Sequence, residues 1–411
     1  MMAQEGKRRN FSSAKQKLLN GPPPLVITDS SNKRVANGPG TLACLSVRFA
    51  LEFNADSISR AVACTQVERH MRLCLAATTG FERLITLAGS EPLLAEAASQ
   101  LMRDSLINPV RHLAEHSDLN CIDRGRRGEL VAALIVMQAR DAALQHERRW
   151  VSVCEFMEAL LPPDAYECLQ SSLPTFWREG ENRPFSETFE DCAMWFNHVI
   201  KIEDGAVINT KLLWTFITRG AMILCSHNQD GIDIVLPVCA TKGNLSRDSV
   251  TAILIQVKNA KRIGCSIDKT IFDRMDPLKL RLFDEGSQKP VIRMVFALAP
   301  RTPDIVFPEI REYTNTRSGG ASKFTAFDIW CAGLRSFKSI GDDLTSYELL
   351  LNRSLQPHDA FEVEETNDSY LDPETKLERG RRRRRMAALA MKDINHRRIY
   401  VLEPDDVDGD R

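Results

Sequence analysis

Between residues 221 and 261 the chain alternates long apolar runs with short polar breaks. AMILCSH, GIDIVLPV and TAILIQVKN each read as a buried strand, and Asp230-Gly231 between the first two is a two-residue hairpin signal. Upstream, KLLWTFITRG has a helical period and stops at Gly220, a natural C-cap. Downstream, SIDKTIFDRMDPLKLRLFDE gives helical turns broken before Pro277, and PVIRMVFALAP reads as a fourth strand. The order helix, three-strand meander, helix, strand predicts an α/β fold with a mixed sheet flanked by helices.

The rest of the chain is patterned less sharply. LACLSVRFALEF, 42–53, reads as a strand. Residues 57 to 118 read as helical, with Ser90 and Glu91 opening SEPLLAEAASQLMRDSL in a capping arrangement. From 121 to 149, Leu130, Ala133, Leu134 and Met137 form one helical stripe. SVCEFMEALL and FEDCAMWF read as further helices, and Trp195, Phe196, Trp214 and Phe216 as core. The organisation expected is a disordered lead-in over 1–40, a mostly helical N-terminal region over 41–120, an α/β core over 121–345 and a charged tail over 346–411.

Composition narrows the class. The 411 residues are 43% hydrophobic and 27% charged, with a net charge of −1, which is ordinary globular usage. No apolar run is long enough to span a membrane. The eleven cysteines form no CxxC pair, which argues against a disulfide framework and a structural zinc site and for a reducing, intracellular compartment. Cys225 and His227 share a strand face, but no carboxylate can be assigned to orient the histidine, so a thiol hydrolase is not expected. RGRRRRR places Arg381, Arg382, Arg383, Arg384 and Arg385 in one block, a pattern that binds nucleic acid or a nuclear-import receptor.

Three polar residues interrupt the buried strands. Side chains alternate faces along a strand, so Asp233 opposes Ile232 and Ile234, while Gln256 and Lys258 share a face roughly 7 Å apart. An Asp followed by a strand carrying [D/E/Q]-x-K resembles the PD-(D/E)XK nuclease superfamily, whose restriction-endonuclease-like core has the element order read above. The run from RRGELVAAL through GIDIVLPV and ILIQVKN to KFTAFDIWCAGL also resembles a group of uncharacterised fungal proteins expanded in mushroom-forming fungi, a resemblance that implies no established activity.

The nuclease resemblance implies phosphodiester hydrolysis with Mg²⁺ as cofactor. Asp233, the side-chain oxygen of Gln256, the Val257 carbonyl and Glu129 would hold the cation, and Lys258 would orient the nucleophile or stabilise the transition state. Glu129 comes from RGRRGELVAAL, and Glu187 or Glu190 could take its place. Lys258, Lys261 and Arg262 would supply countercharge to DNA or RNA phosphates. Gln256 stands where the superfamily usually has Asp or Glu, so one negative charge is missing. The alternative is a non-catalytic nucleic-acid- or protein-binding module that retains the fold.

Overall fold

Residues 42–53, expected as a strand, are helical in the computed structural model, where α2 runs Gly38–Phe49. The cause is burial on nearly every side. Ala43, Cys44, Leu45, Val47 and Phe49 are buried, and so are Thr41, Ser46 and Arg48. A helix enclosed all round shows no amphipathic period. The residues described are 12–20, 38–51, 53, 57–77, 84–103, 107–115, 127–144, 148–178, 180–202, 207–226, 229, 231–241, 246–259, 267–283, 289–308 and 324–355.

Within the expected lead-in, residues 12–19 form a helix, α1, that buries Ala14 and Leu18. After α3 (Ser57–Arg69) the expected helical region is interrupted by an antiparallel hairpin, β1 (Arg72–Ala77) and β2 (Leu84–Ala88). Arg72 fixes its inner face, donating to Thr86 Oγ1 at 2.7 Å and to the Leu51 carbonyl at 2.9 Å, over the Phe53 ring. α4 (Pro92–Arg103) and α5 (Pro109–Glu115) follow. Glu91, not Ser90, caps α4: its carboxylate accepts the Leu93 N–H, and Pro92 takes the first helical position.

α6 (Arg127–Ala143) is the expected helix, and Leu130, Ala133, Leu134 and Met137 are all buried. β3 (Val151–Ser152) leads into α7 (Val153–Leu160) through a capping box between Ser152 and Glu155. α8 (Pro163–Ser171) and α9 (Phe185–Thr188) come next. FEDCAMWF is therefore not one helix: α9 stops at Thr188 and β4 (Cys192–Met194) joins the sheet. β5 (His198–Lys201) then leads to α10 (Thr210–Arg219), which ends as expected on Gly220 in the left-handed conformation.

β6 (Ala221–Leu224), β7 (Ile234–Ala240) and β8 (Val250–Lys258) form the expected antiparallel meander. α11 (Lys269–Arg274) returns the chain to β9 (Val291–Ala297), which runs parallel to β8. β10 (Asp304–Val306) and β11 (Ala326–Ala332) extend that side, and α12 (Leu344–Leu355) closes the described chain. The sheet runs β10-β11-β9-β8-β7-β4-β3, with β6 also on β7 and β5 parallel to β6. The second edge of β7 is shared, pairing β6 at Ile234 and Val235 and β4 at Cys239 and Ala240. Pro237 falls between the two, where that edge has no rung to lose.

The fold is thus mixed α/β, with helices on both faces of a mixed sheet. One face carries Val235, Leu254, Val295 and Trp330 against α10 and α11. The other carries Ile234, Ile255 and Phe296, all buried. α6 contacts β8 and contributes nothing to the α10–α11 cluster, which places it in that second layer. Arg48 joins the N-terminal helices to this layer, donating to Asp141 of α6 at 2.8 and 3.1 Å and to the Asn197 carbonyl at 3.0 Å.

The chain divides into two units, 1–354 and 355–411, and everything described apart from Leu355 belongs to the first. The Arg-rich run lies outside the described residues. No described helix is long and apolar enough to cross a membrane, and the described cysteines are free thiols.

Candidate active site at the end of β7 and β8

Asp233 sits just before β7, two residues after Gly231. Gly231 has φ +91°, and a Cβ there would lie 2.4 Å from the Arg274 carbonyl, so only glycine allows the turn to pass α11 this closely. The backbone of Asp233 is held from both sides: its N–H donates to the Ile255 carbonyl at 2.9 Å, and its carbonyl accepts from Cys225 N–H at 2.8 Å.

The registered pairing of β7 with β8 ends at Ile234 and Ile255. Past that rung the Asp233 side chain takes over. Its Oδ2 accepts the Val257 N–H at 2.6 Å and is bonded by the Gln256 amide nitrogen. Ile255 turns its carbonyl to Asp233, and Lys258 turns its carbonyl to Leu298 next to β9. Backbone direction alternates along a strand, so Val257, two residues after Ile255, presents both its N–H and its carbonyl to the Asp233 side. Gln256 and Lys258 follow Leu254 on the α10–α11 face, whereas Asp233 precedes β7, where Ile232 joins Val235 in the α10–α11 cluster and the expected alternation breaks.

Gln256 is buried, while Asp233 and Lys258 are half-buried. Burial pushes the Asp233 carboxyl above its usual range, against the Val257 N–H, the Lys258 charge and the Gln256 amide, which all pull it down. Burial likewise raises the neighbouring Cys225 thiol, and negative charge from Asp233 and Glu129 adds to the rise. That thiol is protonated and inert as a nucleophile.

Glu129 reaches this end of the sheet from the other layer. A Cβ on Gly128 would lie 1.5 Å from Asn259 Nδ2, so the first turn of α6 abuts the residue that follows β8. Glu129 is half-buried and close enough to act on Cys225. Glu187 and Glu190 are at the opposite end. Asp191 accepts the Thr241 N–H at 2.6 Å and Cys192 pairs with Ala240, which puts both glutamates a full length of β7 from Asp233. They take no part in this site. Lys261 and Arg262 lie outside the described residues, as do Arg381 to Arg385. Among the described residues no group of three or more His, Cys, Asp or Glu side chains could hold a metal ion.

Two polar constellations were missed by the strand pattern. Arg293 of β9 and Asp328 of β11 stand opposite each other in the parallel ladder and form a two-point ion pair at 2.6 and 2.7 Å, each side chain 2% exposed or less. Arg293 also donates to the Phe272 carbonyl at 2.9 Å and thereby anchors α11. The charged letters within VIRMVFA and AFDIWCA were the available signal. The other group joins Ser90, His198, Asn197 and Glu96 across residues 101 to 108 apart in sequence. No local spacing announces it.

A family model described as a domain of unknown function (DUF8736) matches residues 29–276, more than half of the chain, so the chain belongs to that family. The matched stretch contains Asp233, Gln256, Lys258 and Glu129. No curated protein and no solved structure matches.

Proposed function

We propose that this member of the DUF8736 family carries a phosphodiester-hydrolysing site of the PD-(D/E)XK type, in the form D…QxK, within a restriction-endonuclease-like core. The observation that carries the reading is the junction of Asp233 with Gln256 and the Val257 backbone at one strand end, within reach of the Lys258 charge. The order α10-β6-β7-β8-α11-β9 around it supports the same reading.

The donor set is compatible with Mg²⁺, which needs only one or two carboxylates and keeps several waters. Asp233 and the Val257 carbonyl would hold it, Gln256 would add its oxygen after its amide turns over, and Glu129 would approach from α6. A bound cation supplies acidity to a water and neutralises phosphoryl charge. Lys258 places a fixed positive charge where negative charge grows on the scissile phosphate. Before a cation binds, Gln256 holds the Asp233 carboxyl in one orientation.

One observation favours the second reading, a non-catalytic binding module that keeps the fold. Both bonds to Asp233 Oδ2 are also what a purely structural cap on β8 requires. Cleavage of labelled single- and double-stranded DNA and RNA by the full chain separates the two. The nuclease reading predicts cleavage that needs Mg²⁺, stops with chelator and falls to background in Asp233→Ala and Lys258→Ala. Equal release by wild type and both variants contradicts it.

A further inference from the structure

A second constellation gathers at the start of β5, where His198 pairs with Ala221 of β6. Ser90 Oγ is 2.9 Å from His198 Nε2, His198 Nδ1 is 2.7 Å from Asn197 Oδ1, and Asn197 Nδ2 donates to Glu96 Oε2 at 2.9 Å. His198 and Asn197 are fully enclosed, while Ser90 is half-exposed and Arg219 beside it is exposed. Arg219 Nη2 donates to Ser90 Oγ at 3.1 Å and also bonds the Ser90 carbonyl.

The hydrogen-bond partners orient the Asn197 amide and the His198 ring in this chain. Burial opposes ionisation of Glu96, yet the Asn197 amide, Arg140 and Arg103 hold its carboxyl below the usual range, so it only accepts. Asn197 must then present its nitrogen to Glu96 and its oxygen to His198. That oxygen also only accepts, so His198 carries its proton on Nδ1. Nε2 is left with a bare lone pair aimed at Ser90, whose hydroxyl donates to it while accepting from Arg219. An asparagine behind a histidine can impose the wrong tautomer when its amide is free to turn. Glu96 removes that freedom.

We propose that Ser90, His198 and Arg219 form an ester-hydrolase site, with Asn197 and Glu96 as positioning residues and an ester of an apolar acid as substrate. Ser90 Oγ attacks the ester carbonyl while its proton passes to His198 Nε2. The carbon–oxygen bond to the alcohol breaks, and that proton leaves with the alcohol. Water, giving a proton to His198, then attacks the acyl group. The bond to Ser90 Oγ breaks, the acid departs and the proton returns to Ser90.

Arg219 is the anion donor. The nearby amides are already engaged, Glu91 N–H with the Gly89 carbonyl at 3.0 Å and Leu93 N–H with Glu91. The acyl preference follows from the hairpin that ends at Ala88, two residues before Ser90. Leu73, Leu75, Ile85 and Leu87 are exposed on it, and Leu73 lies against Gly89, next to the nucleophile. Exposed apolar surface of this kind marks a binding face for apolar ligands or partners.

The test uses the full chain with a fluorophosphonate probe and p-nitrophenyl acetate, butyrate and octanoate. We expect covalent labelling of Ser90 located by mass spectrometry, hydrolysis that favours octanoate, and loss of both in Ser90→Ala. His198→Gln should lower kcat by about 10²- to 10⁴-fold. Glu96→Gln should lower kcat with little change in KM, because it frees the Asn197 amide without touching substrate. Circular dichroism of Ser90→Ala, a change at a half-exposed hydroxyl, controls for folding. Hydrolysis should persist in chelator and in Asp233→Ala, so failure of the nuclease reading leaves this one intact. An unlabelled Ser90, equal hydrolysis by Ser90→Ala, or preference for acetate overturns the proposal.

Discussion

Asp233 Oδ2 accepts the amide hydrogen of Val257 at 2.6 Å, two residues beyond the last β8 residue registered with β7. The carboxyl group thus does the work of a missing strand rung. Replacing it by alanine leaves the Val257 N–H and the Gln256 amide without their acceptor. Asp233→Ala is expected to lower stability by about 1–3 kcal/mol, read as a lower denaturant midpoint with an unchanged slope. Asp233→Asn, which keeps one acceptor oxygen, should lose less.

Gln256→Glu restores the second carboxylate of the resembled pattern. It also sets two acids against each other in a partly buried site, where they repel and both resist ionisation. Without divalent cations the variant should lose about 1–3 kcal/mol, and Mg²⁺ should return most of the loss. A thermal shift series with and without Mg²⁺ checks this, and the wild type should respond less to the cation.

Arg293 and Asp328 form a buried pair, so removing one partner strands the other. Arg293→Ala or Asp328→Ala should each cost about 3–5 kcal/mol, and release of the Phe272 carbonyl should loosen α11 in the arginine variant. Replacing both with apolar residues, Arg293→Met with Asp328→Leu, should recover much of the loss. Denaturant unfolding of the three variants measures the difference.

Burial, aided by the positive charges of Arg219 and Arg48 and opposed by the Gly220 carbonyl, lowers the His198 pKa from 6.5 to about 4. Between those values the unfolded chain binds a proton at His198 that the folded chain refuses. Stability is therefore fully present above pH 6.5 and falls as pH drops through the window, by about 3 kcal/mol in all. His198→Gln should flatten that slope. Glu96 and Asp141, held below the usual carboxylate range, add their own losses only near the foot of the window.

The meander and its flanking helices were legible because their signals are local. Gly220 ends α10, and short apolar runs between polar breaks mark β6, β7 and β8. That Gln256 and Lys258 share a face followed from strand alternation, whereas Asp233, just before β7, meets Gln256 through a side-chain bond that alternation does not give. α2 was misread because burial on all sides removes its period, and the β1–β2 hairpin because its exposed leucines look as helical as they look extended. Ser90 was read as a cap, whereas its hydroxyl belongs to His198, 108 residues away. Pairings of that kind are made by the tertiary fold and leave no spacing to read.

The account turns on whether Asp233 and its neighbours on β8 seat one divalent cation. Calorimetric titration of Mg²⁺ into the full chain, wild type beside Asp233→Asn, measures this directly. The account predicts a single-site isotherm in the wild type that vanishes in the variant, whose fold circular dichroism should show to be intact. Identical heats from the two proteins would contradict it.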